Sequence, residues 1–129
     1  MGASVKLTSG PVSLKSIKAV ETEYVETSEE MLNAVMSNAD NFDILISTAA
    51  IADYKPKDYS KSKYKKSEND ITIKFTRGAD IISAASKKNK DIYTVGFAAE
   101  TEALEKNAQA KLIKKNLDCL LYTSPSPRD

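Results

Sequence analysis

The stretch from Phe42 to Ala52 (FDILISTAAIA) is the most apolar in the chain. Its short, nearly continuous run of Ile and Leu is the pattern of a strand buried on both faces, which parallel sheets covered by helices produce. Parallel neighbours need long crossovers, usually helical. The flanking segments should therefore alternate between strand and helix, and their periodicities do. Val5 and Leu7 alternate with polar residues over Ser4–Ser9, and Gly10-Pro11 ends that strand. Glu21–Thr27 is β-prone, and Thr27 with Glu30 three residues on forms a capping-box signature. Met31, Leu32, Val35 and Met36 recur at helical spacing, predicting a helix from about Ser28 to about Asn38. Residues 54–69 are polar and lysine-rich and read as a loop. Ile71, Ile73 and Phe75 alternate with Thr72 and Lys74, predicting a half-buried strand.

Asp80 is placed to cap a helix carrying Ile81, Ile82, Ala84 and Ala85. Ile92–Ala98 predicts another buried strand. A helix opens at Thr101 or Glu102, with Leu104, Ala108, Leu112 and Ile113 on one face. Lys111, Lys114 and Lys115 fall in its last turns, where cations suit the helix dipole. Leu117–Tyr122 predicts a final strand. This alternation implies an α/β fold, a three-layer α/β/α arrangement around a mainly parallel sheet.

Composition narrows the chemistry. The chain has no histidine and one cysteine, Cys119. Ser-His-Asp and Cys-His catalysis, imidazole metal ligation, an internal disulfide and multi-cysteine zinc sites are excluded. The four glycines, Gly2, Gly10, Gly78 and Gly96, are too scattered to build a G-x-G-x-x-G or a P-loop. Lys+Arg is 19 and Asp+Glu is 18, a net charge of +1 that argues against nucleic acid or an anionic membrane as partner. No apolar run approaches the ~20 residues of a membrane span, so a cytoplasmic protein in a reducing compartment is expected.

In open α/β sheets, ligands bind beyond the carboxyl ends of the strands. Thr48-Ala49-Ala50-Ile51-Ala52-Asp53 lies there: small residues let a planar ligand reach the backbone, and Asp53 supplies a carboxylate. The same run is equally a tightly packed strand end with an ordinary turn aspartate. Lys55, Lys57, Lys61, Lys63, Lys65 and Lys66 are suitable counter-charges for a triphosphate, or a solvated loop. Within Val95–Thr101, Gly96 marks a close approach to a strand, and Phe97 is either a lid on a base or a core residue. Lys111 and Lys115, four apart, share a helix face. Cys119 reads as core.

Taken together and in order, these segments resemble the phosphopantothenoylcysteine synthetase (phosphopantothenate–cysteine ligase) family. The matching runs are Leu7-Thr8-Ser9-Gly10-Pro11-Val12-Ser13-Leu14, Ala49–Tyr54, Lys63-Tyr64-Lys65-Lys66, Ala79-Asp80-Ile81, Val95–Thr101 and Lys111–Asp118. The resemblance covers about residues 2–118. It implies a Rossmann-like homodimer acting in coenzyme A biosynthesis with CTP and Mg²⁺. In the implied reaction 4'-phosphopantothenate becomes an acyl-cytidylate, and cysteine then forms the amide. In bacteria such a domain is usually fused behind a flavin-dependent decarboxylase. Residue by residue, it implies a nucleotide site of Thr48, Ala49, Ala50, Asp53, Lys63, Ala79, Asp80, Ile81, Ile82, Phe97, Lys111 and Lys115. Lys63 is also the catalytic cation, and residues 79–82 contribute through their backbone.

The chain departs from that pattern in places. Gly78-Ala79 stands where the family has Asn-Pro or Thr-Pro, and Tyr64 where many members have Ile. The family's opening strand, glycine-rich turn and Asn-x-Ser-Ser-Gly segment have no counterpart. Residues 1–118 are thus expected to be a partial ligase domain, incomplete at its N-terminus and inactive alone, and 119–129 an atypical tail. Two other readings stay open from the residues: a Rossmann-type NAD(P)-binding reductase, and a basic interaction module working through residues 55–66.

Overall fold

The computed structural model describes residues 2–58, 71–99 and 104–123. Along them run β1 (Lys6–Ser9), β2 (Glu21–Tyr24), α1 (Ser28–Asn38), a 3-10 turn (Ala39–Asn41), β3 (Ile44–Ser47), β4 (Tyr54–Pro56), β5 (Phe75–Arg77), α2 (Ile81–Lys88), β6 (Tyr93–Ala99), α3 (Leu104–Lys115) and β7 (Cys119–Thr123). β1 pairs with β2 and β3-β6-β7 form a second sheet, all parallel; β4 and β5 make an antiparallel pair. The α/β class with mainly parallel strands is the one the sequence predicts.

The capping box forms as expected. The Glu30 N–H donates to Thr27 Oγ1 at 3.1 Å, and Glu30 Oε2 accepts from the N–H groups of Glu26 (2.7 Å) and Thr27 (3.3 Å). These bonds, that from Glu26 foremost, hold the Glu30 carboxyl below its ordinary range. α1 buries Ala34 and packs against β1 and α2. Its C-terminal end is tied to the end of α2: Lys88 Nζ donates to Met36 O (2.6 Å) and pairs with Asp40 (2.8 Å), while Asn89 Nδ2 donates to Ala39 O (2.9 Å). On β1, Lys6 bridges Glu21 and Glu23 of β2, each at 3.1 Å. Those carboxylates, Glu23 first, raise its affinity for a proton.

β6 is the centre of the larger sheet. Thr94, with no exposed surface, is clamped to the residue that leads into β7. Its N–H and Oγ1 donate to Asp118 Oδ2 at 2.7 and 2.8 Å, and the Asp118 N–H returns bonds to Thr94 O (3.1 Å) and Oγ1 (3.2 Å). The bond from the Thr94 N–H is the main reason that the Asp118 carboxyl lies below its ordinary range. α3 delivers Asp118 through a Schellman-type end. Asn116 takes a left-handed φ of 51°, its N–H bonds to Ile113 O (3.2 Å), and the N–H of buried Leu117 bonds to Leu112 O (3.0 Å). Gly96 is needed for space: a Cβ there would lie 2.9 Å from Leu117 Cδ1 and 3.2 Å from Leu120 Cδ1.

Five expectations are corrected. β3 is not buried on both faces: Leu45 and Ser47 are half-buried, but Ile44 and Ile46 are 56% and 62% exposed. By register they share a face with Tyr93 and Val95 of β6, and Phe97 shares it with Leu121 of β7; with Tyr93 48% and Phe97 49% exposed, the predicted buried strand Ile92–Ala98 is open on this face in the same way. α2 packs on β6 and α3 on β7, so among the described residues the continuous hydrophobicity here reflects one covered face and one bare one. The start of the predicted 54–69 loop is strand β4, where Pro56 is tolerated at the end of a two-stranded pair with a free edge. The alternation of Ile71, Ile73 and Phe75 does not mark a half-buried strand; all three are exposed and β5 starts only at Phe75. On α3, Ala108 is buried and Leu112 half-buried, but Ile113 is 77% exposed.

Candidate functional site

Two groups of predicted site residues emerge at the ends of these elements. The first lies where β3 ends, beside the second half of β6. Ser47 pairs with Gly96, so Thr48 and Phe97 follow at the same level of the sheet. Thr48, Ala49 and Ala50 form an exposed loop with a local bond from the Ile51 N–H to Ala49 O (3.1 Å). Phe97 is 49% exposed, which removes the core reading and leaves its ring open to a flat ligand.

The second group is gathered around the start of α2. The Gly78 N–H donates to Asp53 O at 2.8 Å, one step beyond the Tyr54–Arg77 pair of the β4–β5 ladder. This bond sets the Asp53 turn against Ala79 and Asp80. The Asp80 carboxylate is the N-cap of α2, accepting from the Ser83 N–H at 3.2 Å. Ile81 and Ile82, the first two residues of the helix, are buried. Lys115, at the other end of the chain's helical part, comes to the same place: its Nζ lies 3.9 Å from Asp80 Oδ2, and its carbonyl accepts from Ser83 Oγ at 3.3 Å. Residues 53, 79–82 and 115, distant in sequence, thus form one cluster. Lys111 lies one turn before Lys115 on an exposed stretch of α3.

The predicted lysine cluster is only partly visible. Lys55 is engaged by Glu29 of α1, and the Lys57 N–H bonds to Lys74 O at 2.8 Å. Lys61, Lys63, Lys65 and Lys66 lie outside the described residues, as do Glu100 and Thr101. Sequence reasoning missed Gly78, Ser83 and the Thr94–Asp118 clamp. Only Gly78 carried a signal, as one of four glycines and at a departure from the resembled motif.

Among the described residues, no group of three or more His, Cys, Asp or Glu could hold a metal ion. Asp53 and Asp80 are carboxylates at the start of α2, and Asp80 is already shared between the Ser83 N–H and Lys115. Nor, among the described residues, is any helix long and apolar enough to cross a membrane.

The chain is similar to known proteins over nearly its whole length. The sequence model of a family described as DNA/pantothenate metabolism flavoprotein C-terminal domain matches residues 1–127. The coenzyme A biosynthesis bifunctional protein CoaBC of Vibrio parahaemolyticus is 46% identical over 123 residues, which are 93% of this chain and 31% of that protein. Its counterpart from Bacillus subtilis is 43% identical over 122 residues, 94% of this chain and 30% of that protein. The chain thus spans about a third of the length of the curated relatives it matches. Among solved structures, the C-terminal domain of a coenzyme A biosynthesis bifunctional protein CoaBC superposes with a TM-score of 0.80 at 35% identity, covering 95% of this chain and 57% of that one. A DNA/pantothenate metabolism flavoprotein from Streptococcus pneumoniae, at 17% identity and a TM-score of 0.75, shares the fold over 96% of this chain and 66% of its own.

Proposed function

The chain belongs to the DNA/pantothenate metabolism flavoprotein C-terminal domain family, and on that premise we propose that it carries the nucleotide site of a phosphopantothenate–cysteine ligase of coenzyme A biosynthesis. The observation that carries this reading is the convergence of Asp53, Ala79–Ile82 and Lys115 at the start of α2. It is supported by the names of the relatives, which are coenzyme A biosynthesis proteins.

The chemistry asks for what such a cluster offers. A carboxylate is a poor acyl donor because oxide is a poor leaving group. Attack of the 4'-phosphopantothenate carboxylate on the α-phosphorus of CTP expels pyrophosphate and leaves an acyl-cytidylate. The cysteine amine then attacks the acyl carbon, loses a proton, and CMP departs. Negative charge grows on phosphoryl oxygens and then on the carbonyl oxygen, so cations and backbone N–H groups are the needed stabilisers. A chain without histidine can supply both.

In this reading the Ile81 and Ile82 N–H groups, which lie in the first turn of α2 and lack intrahelical acceptors, face phosphate oxygens. Lys111, Lys115 and the catalytic Lys63 neutralise them. Thr48, Ala49 and Ala50 line the cytosine pocket, Phe97 covers it, and Asp53 binds the nucleotide. Mg²⁺ would be carried mainly by the triphosphate, with the Asp53 carboxylate to hold it, and would supply charge neutralisation. The same reading takes a cytoplasmic homodimer as the working form, fused to a flavin-dependent decarboxylase.

Titration calorimetry tests it. CTP with Mg²⁺ is expected to bind the chain, NADPH is not, and Lys115→Gln is expected to weaken CTP about tenfold through loss of one charged contact. Binding of NADPH in place of CTP would overturn the proposal.

A further inference from the structure

Gly78 stands at the joint between the two arms of the cluster, and the space around it is unusually tight. Its φ is not positive, so no backbone conformation demands glycine there. The demand is steric. A Cβ at residue 78 would lie 2.6 Å from Ala52 O and 3.5 Å from Asp53 O, against backbone atoms that cannot swing aside as a side-chain tip can. Restoring ordinary contact at 3.4 Å would move the Ala52 carbonyl by about 0.8 Å (3.4 less 2.6). The bond from the Gly78 N–H to Asp53 O, at 2.8 Å, lies on the same approach and would have to lengthen or tilt. Immediately downstream come Ala79, the Asp80 cap and the first turn of α2, itself tied to Lys115 through Ser83.

We propose that Gly78 is a positioning residue: by having no side chain it lets the Ala52–Asp53 backbone close onto the start of α2, so that Asp53 and the Ile81 and Ile82 N–H groups address one phosphorylated ligand together. This rests on the nucleotide reading above. It adds a residue that touches no ligand and sets the spacing of two that do. A displacement approaching 1 Å between ligand-binding groups is large on the scale at which binding and catalytic geometry is felt.

The test compares the unsubstituted chain with Gly78→Ala, and with Gly2→Ala as a control where a Cβ meets nothing within 4 Å. Both substitutions lower the entropy of the unfolded chain alike, so their difference isolates the contact. Two readouts are taken: amide hydrogen exchange, and CTP affinity by calorimetry. In Gly78→Ala the amide at position 78 is expected to exchange at least about tenfold faster and CTP to bind about tenfold more weakly. Protection in β3 and β6 should stay at the level of the control. A merely structural glycine would lose protection in β6 as well, or leave CTP affinity untouched, and either result overturns the inference.

A second measurement needs no substitution. Saturating CTP bridging the two arms should slow exchange at the Gly78 amide of the unsubstituted chain about tenfold while leaving Gly2 unchanged. Bound CTP without that slowing would refute the positioning role even if Gly78→Ala did not fold. Failure of the unsubstituted chain to bind CTP would refute the nucleotide reading and the functional half of this inference. The exchange comparison in the free chain would still decide the geometric half.

Discussion

Replacing Thr94 by valine removes a hydroxyl and keeps the shape, which makes it a clean probe of the clamp between β6 and β7. The hydroxyl donates to Asp118 Oδ2 at 2.8 Å and accepts from the Asp118 N–H at 3.2 Å, in a residue with no exposed surface. A hydrogen bond to a charged group contributes about 1.5–3 kcal/mol and a neutral one about 0.5–1.5. Asp118 is itself exposed, so screening places the charged bond at the low end. The added methyl returns up to about 0.8 kcal/mol of burial. A net loss near 2 kcal/mol is expected for Thr94→Val.

The pH dependence has a definite sign. The folded state holds the Asp118 carboxyl below its unfolded value, with the Thr94 N–H the largest cause and the Thr94 hydroxyl the next. Stability from this group is therefore complete above the unfolded pKa and is lost as pH falls through the folded one. Valine keeps the N–H bond but removes the hydroxyl's share. The gap between the two proteins should be widest near neutrality and shrink below about pH 4. Urea unfolding at pH 7 and at pH 3 measures both quantities. A gap under 0.5 kcal/mol at neutral pH, or one that widens in acid, would show that the clamp does not hold the strands as argued.

Two other substitutions test the scaffold. Thr27→Ala should cost about 1 kcal/mol by leaving the Glu30 N–H without its cap, seen as a lower urea midpoint together with reduced helical circular dichroism. Gly96→Ala should cost about 1–3 kcal/mol, because its Cβ meets Leu117 and Leu120 side chains that must repack, and its melting temperature should fall accordingly.

Local chemistry was legible in the sequence where it was self-contained. The Thr27–Glu30 box fixed the start of α1, Asp80 that of α2, and the lysines of α3 marked its end. Placement was less legible where burial depends on what lies across the sheet. Ile44 and Ile46 read as doubly buried because sequence reports hydrophobicity, not whether a covering layer is present. Ile71 and Ile73 failed for the same reason. For the site, sequence order could suggest the loop after β3 and the helix start at Asp80. It could not reveal that Lys115 reaches Asp80, or that Gly78 presses on Ala52, since both contacts join segments far apart along the chain.

The bare side of the β3-β6-β7 sheet has a practical consequence for the chain in solution. Ile44, Ile46, Tyr93, Phe97 and Leu121 stand together there, each close to half open to water or more. A surface so greasy makes neighbouring molecules into competitors for water's place, and sticking together becomes a matter of crowd size. The apparent mass from light scattering should therefore rise with concentration, and melting curves should drift with it. Dilution to the low micromolar range is the condition under which the energies discussed for single molecules become measurable as such.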